Sequence, residues 1–157
     1  MNDGQGRAIG WALVAAQFVL LGAIGVEVLG ALRERRVPAP AGLAGVVAAA
    51  PGIWLIARAS RRLGRRLSAH PAPVANAVLR TDGAYGVVRH PIYVGLLLLG
   101  VASVIIARTP RAAIALGALV ALFNAKSRME ERLLARRFPG YAAYAARVPR
   151  FVPRFRR

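Results

Sequence analysis

Four long apolar segments separate short stretches rich in arginine, and this alternation constrains the fold more than any other feature of the sequence. The segments are residues 8–32, 39–57, 91–107 and 112–125. About 20 apolar residues in a helix cross a hydrocarbon core of ~30 Å, since lipid leaves no other way to pair the backbone polar groups. The sequence therefore predicts an all-α membrane bundle over residues 1–157, a single domain with about four transmembrane helices.

The fourth segment is the shortest of the four, at 14 residues. It spans a bilayer only if its helix continues into water through Lys126 and Arg128, or if the bilayer thins locally. Residues 124–138 have the pattern of one continuous helix, which Pro139-Gly140 ends. We therefore expect residues 126–157 to form a helical extension and a C-terminal tail outside the membrane.

The turn between the third and fourth spans, a carboxylate in the first span and four glycines within the spans each predict a local structure. Thr109-Pro110 predicts a tight turn between the third and fourth spans, with threonine as the helix N-cap. Glu27 lies within the first span, where a carboxylate is a functional candidate, but it is also close enough to Arg33 to pair with an arginine at the boundary. Four glycines are expected to let helices approach closely: Gly22, Gly25, Gly95 and Gly100.

The basic residues predict the orientation of the chain. Eighteen of the 23 lysines and arginines share one side if both termini lie there, so the positive-inside rule places the termini and the loop 79–91 in the cytoplasm. The charge of +17 is clustered at the ends of spans, which indicates anionic lipids rather than nucleic acid as partners. The cluster at 58–66 could also bind a substrate phosphate. With no cysteine and two distant histidines, the sequence predicts no metal site.

Residues 81–95, T-D-G-A-Y-G-V-V-R-H-P-I-Y-V-G, lead from a short loop directly into the third apolar segment. Pro91 is tolerated at the first position of a helix, because the N–H it lacks would be unpaired there anyway. Arg89 and His90 should therefore lie at a helix N-terminus, where free N–H groups and the helix dipole favour an anion. Tyr85 and Tyr93 flank this pair and complete a candidate site.

A second polar group lies on the extension of the fourth span, and the predicted hairpin brings it close to the first. Its members are Lys126, Arg128, Glu130 and Glu131. Cations and helix N–H groups at one end, carboxylates at the other and aromatic rings between them match a zwitterionic, aromatic ligand. S-adenosylmethionine has all of these parts.

The sequence also resembles a known family, on the segment G-A-Y-G-V-V-R-H-P-I-Y-V-G, the later E-E pair and the closing Y-x-x-Y-x-x-x-V-P-R-F-x-P. This combination is similar to the isoprenylcysteine carboxyl methyltransferase and phospholipid methyltransferase group of integral membrane enzymes, over roughly residues 58–153. The resemblance implies that S-adenosylmethionine binds His90, Pro91, Tyr93 and the Glu130-Glu131 pair. The full predicted cofactor-binding set is Tyr85, Arg89, His90, Pro91, Tyr93, Gly95, Glu130 and Glu131.

The predicted function is methyl transfer from S-adenosylmethionine to a lipophilic acceptor, either an isoprenylcysteine-like carboxylate or another small molecule carried in the membrane. A carboxylate acceptor needs no general base, whereas an amine would have to lose a proton to Glu131 or His90. Arg128, one turn from Glu131, is predicted to orient the acceptor's anionic group, so Arg128 and Glu131 are the candidate catalytic residues. Two alternatives stay open: a nicotinamide-dependent membrane reductase of related architecture, and a non-catalytic protein that binds anionic lipid.

Overall fold

The computed structural model describes residues 3–64, 68–70 and 78–153. Within these ranges the chain forms helices and no strand, which confirms the predicted all-α membrane bundle. The helices are α1 (Asp3–Arg33), α2 (Ala39–Leu63), α3 (Ala84–Val87), α4 (Pro91–Ala107), α5 (Pro110–Arg137) and α6 (Tyr141–Arg147). Part of the predicted arginine cluster (65–66) and the end of the predicted tail (154–157) lie outside the described residues.

The four predicted spans lie within α1, α2, α4 and α5. Of these helices, α1, α2 and α5 are long and apolar enough to cross a membrane. The 17 residues of α4 extend about 26 Å at 1.5 Å per residue, slightly less than a hydrocarbon core of ~30 Å. The 28 residues of α5 continue without a break beyond the apolar segment, so the expected extension is part of the same helix.

The turn between α4 and α5 is short because both helix ends are closed locally. Arg108 ends α4 in the left-handed conformation, with a φ of 55°, and its N–H bonds to the Val104 carbonyl at 2.9 Å. Thr109 is the N-cap of α5, where its Oγ1 accepts a hydrogen bond from the Ala112 N–H at 3.2 Å, and Pro110 follows at the first helical position. The predicted hairpin is confirmed, and it returns the end of α5 to the start of α4.

The central helix of the bundle is α4, which contacts α1, α2 and α5. Its approach to α2 depends on Gly52 and Gly95, because a Cβ at Gly95 would lie 2.7 Å from the Gly52 carbonyl oxygen and 2.5 Å from Ile56 Cγ1. Its approach to α5 depends on Gly100, where a Cβ would lie 2.7 Å from Leu116 Cδ1. These positions bring the helices together in the way that small residues do in membranes.

The outward faces of α1 and α2 are apolar. Their exposed large side chains include Trp11, Phe18, Val26, Leu43, Val46 and Trp54. Such a surface suits contact with lipid rather than with water. An added Cβ at Gly22 or Gly25 of α1 would meet nothing within 4 Å, so these two glycines do not have the close-packing role predicted for them.

At the turn end of the bundle, Thr109 ties the hairpin to α1. Its hydroxyl donates a hydrogen bond to Glu27 Oε2 at 2.7 Å, while the same oxygen of Thr109 accepts the capping bond from α5. Of the two interpretations left open for Glu27, pairing with Arg33 is not the contact that the structure shows. Glu27 instead accepts a hydrogen bond from the neutral hydroxyl of Thr109, in the turn between α4 and α5.

Candidate active site

The loop before α4 is held by the segment that follows α6. Gly83 turns the chain with a φ of 59°, which glycine adopts without steric cost. Beyond α3, the backbone N–H of Arg89 bonds to the Pro149 carbonyl at 2.9 Å, and that of His90 bonds to the Arg150 carbonyl at 3.2 Å. The C-terminal segment therefore fixes the positions of Arg89 and His90 just before α4 begins.

Three basic side chains converge on Glu131, near the end of α5. Arg89 Nε donates to Glu131 Oε1 at 3.0 Å, His90 Nε2 lies 3.1 Å from this oxygen, and Arg150 Nε donates to it at 2.9 Å. A second N–H of Arg150 bonds to Glu131 Oε2, which makes the pair bidentate. These hydrogen bonds raise the pKa of the Arg150 guanidinium above its ordinary value. We call these four side chains the Glu131 clamp, because they join the loop, α5 and the C-terminal segment.

Helix α6 supports the same loop from its other side. Arg89 donates to the carbonyls of Ala145, at 2.9 Å, and Val148, at the C-terminal end of α6, where the helix dipole favours a cation. The Tyr144 hydroxyl donates to the Tyr85 carbonyl at 2.6 Å. Burial raises the pKa of Tyr144 to about 12, so its proton is retained for this bond near neutral pH. The chain's short C-terminal helix thus acts as a support for the site.

Glu130 has a different environment from its neighbour Glu131. Its Oε2 accepts a hydrogen bond from the Tyr93 hydroxyl at 3.0 Å and lies 3.6 Å from His90 Nδ1. Successive helix positions point about 100° apart. Glu131 therefore contacts the basic side chains of the clamp, while Glu130 points in another direction and lines a cavity. The Glu130 side chain is 29 % exposed, compared with 12 % for Glu131.

Stacked rings connect the site to the core of the bundle. The centroids of His90 and Tyr93 are 5.3 Å apart with the rings 3° from parallel, and Tyr93 stacks in turn on Phe123 at 4.6 Å. Phe123 is fully buried and forms a core cluster with Ile24 and Leu119. This stack fixes the ring orientations of both residues that contact Glu130.

A cavity of about 300 Å³ opens between these elements, at the lower end of the range of about 300–1,000 Å³ typical of ligand sites. Its lining comes from α1, the end of α2, the segment that follows α2, the loop with α3, α4 and α5: Gln17, Leu63, Ser68, Ala69, Tyr85, Arg89, His90, Pro91, Ile92, Tyr93, Leu96, Lys126 and Glu130. The lining is charged near the start of α4 and at Lys126 of α5, and it also includes apolar side chains such as Ile92 and Leu96. The cavity can therefore receive a polar ligand and an apolar one side by side.

The structure brings most of the predicted cofactor-binding residues together. Six of them line the cavity: Tyr85, Arg89, His90, Pro91, Tyr93 and Glu130. Glu131 lies behind this wall, in the clamp. Gly95 faces α2, where a Cβ would overlap Gly52 and Ile56, and it does not line the cavity.

Arg128 is not brought to the cavity. Its side chain is exposed, and it is absent from the lining of the cavity. The reason is helical geometry, since Arg128 is two positions, or about 200°, from both Lys126 and Glu130. The guanidinium beside Glu131 belongs to Arg150 instead, and the orienting role predicted for Arg128 has no support in this placement.

Several site residues were not identified from the sequence. Gln17 is a polar residue inside the first apolar segment, and this position was the one sequence signal for a role in the site. Its partner Lys126 lies 109 positions away, so their contact could not be predicted. Arg150 belongs to the V-P-R-F motif of the tail, which resembles an interfacial segment when considered alone. Ser68 and Ala69 have no sequence signal that distinguishes them from the rest of the linker.

Comparison with known families agrees with this geometry. Residues 41–140 match the model of the phospholipid methyltransferase family, and this range contains nearly all of α2, the loop, α4 and α5. The chain belongs to the phospholipid methyltransferase family. The resemblance noted in the sequence is thereby confirmed, and together with the long apolar helices it identifies an integral membrane protein of a methyltransferase family.

Two curated proteins are similar to part of the chain. It is 43 % identical over 83 residues to the cobalt-zinc-cadmium resistance protein CzcN of Cupriavidus metallidurans, covering 50 % of this chain and 37 % of that protein. It is 41 % identical over 80 residues to the nickel-cobalt-cadmium resistance protein NccN of Alcaligenes xylosoxydans xylosoxydans, covering 48 % and 36 %. The match thus spans little more than a third of the length of these relatives. Among the residues that the structure describes, no cluster of three or more His, Asp or Glu could hold a metal ion.

Proposed function

We propose that this protein transfers the methyl group of S-adenosylmethionine to a lipophilic acceptor that enters from the bilayer. The observation that carries the proposal is the cavity, which combines charged groups at the start of α4 with an apolar wall between membrane helices. A water-soluble methyl donor and a membrane-borne acceptor need a site of this mixed character. Membership of a methyltransferase family supports the reaction class.

The residues of the cavity suit S-adenosylmethionine. Glu130 Oε2 is occupied by the Tyr93 hydroxyl, while Oε1 accepts no hydrogen bond from the described residues and is available to an ammonium or a ribose hydroxyl. The His90 and Tyr93 rings provide an aromatic surface, and Arg89 contributes positive charge that favours the carboxylate of the cofactor. His90, Pro91, Tyr93 and Glu130 would hold the molecule, which supplies an electrophilic methyl group on a sulfonium sulfur.

The chain's own residues would act by alignment and by exclusion of water. Holding two reactants in register can supply much of the rate of a displacement reaction. The Glu131 clamp keeps Arg89 and His90 at fixed positions, so the wall of the cavity is rigid before any ligand binds. Because Glu131 is already saturated by three basic partners, it is a positioning residue in this proposal and not a base.

We further propose that the charged end of the cavity lies at the cytoplasmic face, with anionic lipids around it. Two observations support this orientation. Most basic residues belong to that end of the bundle, and the Arg89, His90 and Arg150 side chains gather there around a carboxylate. Labelling of single cysteines introduced at Glu34 and Arg132, in a chain that has no native cysteine, tests the orientation directly.

The first experiment is equilibrium binding of S-adenosylmethionine to the detergent-purified protein. We expect saturable binding, weakened at least tenfold by Glu130→Gln and by His90→Ala. Glu34→Gln is the matched control, because Glu34 is exposed and its ion pair is with Arg36, beyond the end of α1; this variant should bind like the parent.

The same experiment separates the alternatives. Saturable binding of NADPH without binding of S-adenosylmethionine would replace the methyltransferase by a reductase. Absence of both, in protein that unfolds cooperatively, would leave a lipid-binding protein. Equal loss of binding in Glu34→Gln and Glu130→Gln would contradict the assignment of the cavity.

A further inference from the structure

Residues 68–70, in the chain that follows α2, lie against the N-terminal part of α1. The centroids of the His70 and Trp11 rings are 5.2 Å apart, and His70 Nε2 lies 3.5 Å from the Arg7 carbonyl oxygen. Both α1 and α2 pack on α4, but among the described residues no Cα atom of α1 lies within 8 Å of one of α2. Residues 68–70 therefore bridge two membrane helices that do not pack against each other.

The His70 ring lies directly on Gly10 of α1. This glycine is buried, and a Cβ added to it would overlap His70 Nε2 and lie 2.7 Å from His70 Cε1. The ring therefore occupies the space that any larger residue at position 10 would need. The His70 N–H donates a hydrogen bond to Ser68 Oγ at 3.1 Å, so the conformation of residues 68–70 is linked to the position of the ring.

The same three residues reach the mouth of the cavity. Ser68 and Ala69 belong to its lining and are exposed, whereas every other lining residue is buried or half-buried. The two exposed residues must therefore lie at the opening rather than at the floor. Leu63 of α2 and Gln17 of α1 belong to the same lining, so the opening lies where α1 and α2 are separated.

We propose that residues 68–70, which we call the strap, close the mouth of the cavity between α1 and α2, and that His70 is the positioning residue that fastens the strap to α1. The inference rests on the proposed function for the identity of the ligand, S-adenosylmethionine and its product S-adenosylhomocysteine. His70 does not line the cavity, so it acts on the ligand through Ser68 and Ala69.

A closed strap has to open at each turnover, because a water-soluble ligand must pass the mouth to enter and to leave. Segments with exposed side chains, such as Ser68 and Ala69, open locally at a lower cost than a buried core. Opening and product release limit the turnover of many enzymes that close over their substrates. The contact of His70 with Gly10 would therefore set the rate of ligand exchange.

The first test measures access to the cavity without any ligand. The chain has no native cysteine, so Ile92→Cys places a single thiol in the lining, and a permanently charged methanethiosulfonate reagent can reach it only through water. Open states of closed segments are typically populated at about 0.1–10 %, so His70→Ala and Gly10→Ala should each raise the reaction rate by about tenfold or more. Gly22→Ala is the matched control on α1, because a Cβ there meets nothing within 4 Å. A cysteine at Glu34, at the turn end of the bundle, should react at the same rate in all backgrounds.

A double variant shows whether Gly10 acts through the ring. Once His70→Ala has removed the ring, the Cβ added by Gly10→Ala has nothing to displace, so Gly10→Ala/His70→Ala should react as fast as His70→Ala alone. Such non-additivity is expected of residues in direct contact. Effects that multiply in the double variant would show that Gly10 acts on α1 independently of His70, and they would overturn the inference.

The second test follows S-adenosylhomocysteine by stopped flow. Releasing the strap should raise the association and dissociation rates together, so that each rate changes by more than the dissociation constant does. Damage to the site would instead raise the dissociation rate and lower the association rate, and this result in both single variants would overturn the inference. Unchanged access and unchanged exchange rates in both would overturn it as well.

Failure of the inference and failure of the proposed function give different results. If the parent binds neither S-adenosylmethionine nor S-adenosylhomocysteine, the proposed function fails, and the thiol reaction still decides whether His70 fastens a strap over the cavity. If the parent binds both and the variants exchange ligand at the parent's rates, the methyltransferase proposal stands and the role of His70 is wrong.

Discussion

The two ends of the helix bundle hold partly buried carboxylates in opposite ways. At the turn end, Glu27 has one neutral partner, the Thr109 hydroxyl, and this contact links α1 to a helix cap. At the other end, Glu131 is surrounded by Arg89, His90 and Arg150. The first arrangement closes a hairpin, whereas the second holds a loop and a C-terminal segment against α5 and leaves a cavity beside them.

The same contrast separates two neighbouring residues. Glu131 is saturated by its basic partners, so it can hold structure but has little capacity to contact a ligand. Glu130, rotated by about 100°, accepts one hydrogen bond from the described residues, that of the Tyr93 hydroxyl, and lines the cavity. The two adjacent glutamates therefore have different tasks: Glu131 supports the structure, and Glu130 is placed for ligand contact. The E-E motif alone does not distinguish them.

The largest effect is expected from Glu131→Gln. Removing the charge leaves the Arg89 and Arg150 guanidinium groups close together without their counter-ion, and breaking a buried pair typically costs about 3–5 kcal/mol. Since the clamp is partly open to water, we expect a loss near the lower limit, about 3 kcal/mol, measured by unfolding of the purified protein in detergent. The control is Glu34→Gln, whose exposed ion pair should contribute under about 1 kcal/mol; equal stability of both variants would show that the clamp is not a structural element.

How much of the fold and of the candidate site could be predicted depended on how far apart the contacting residues lie in the sequence. The helices and the hairpin followed from local signals, namely apolar runs, Thr109-Pro110 and the Pro139-Gly140 break. The cavity wall from Tyr85 to Tyr93 followed from one continuous motif. In each case the residues that make the structure lie within a few turns of one another.

The parts that could not be predicted join distant segments or depend on the rotation of a helix. Lys126 was recognised as polar, but its contact with Gln17 requires the packing of α1 on α5. Arg128 was placed in the site on spacing from Glu131 alone, and a rotation of about 200° from Lys126 and Glu130 turns its side chain away from the cavity. Gly95 lies in the middle of the predicted motif and yet packs on α2, because one face of α4 lines the cavity and another contacts a helix.

The next largest effect is expected from Gly95→Ala, which tests packing at the centre of the bundle. The added Cβ would lie 2.7 Å from the Gly52 carbonyl oxygen, so α2 and α4 must move apart, at a cost of about 1–3 kcal/mol. Gly22→Ala is the matched control, because Gly22 is exposed and a Cβ there meets nothing within 4 Å, and replacing an exposed helical glycine gains up to about 1 kcal/mol. Thermal unfolding in detergent measures both. If Gly95→Ala left stability unchanged but abolished cofactor binding, Gly95 would be a ligand contact after all.

A smaller effect is expected at the turn end, from Thr109→Ala. This variant loses the N-cap bond of α5 and the hydrogen bond to Glu27, and we expect a destabilisation of about 1–2 kcal/mol. Binding of S-adenosylmethionine should match the parent, since the cavity is at the other end of α4. A fall in affinity that exceeds the fraction of unfolded protein would show that the two ends are coupled.

The smallest effect is expected from Tyr144→Phe, which removes the hydrogen bond to the Tyr85 carbonyl. At pH 7 this should cost about 1 kcal/mol. Because burial raises the pKa of Tyr144 from 10.0 to about 12 in the folded protein, the folded state holds the proton more tightly than the unfolded state. The resulting stabilisation is complete below pH 10 and is lost as the pH rises toward 12. Stability measured from pH 9 to pH 12 should therefore fall less steeply in Tyr144→Phe than in the parent, and parallel curves would mean that the Tyr144 hydroxyl is not protected by burial.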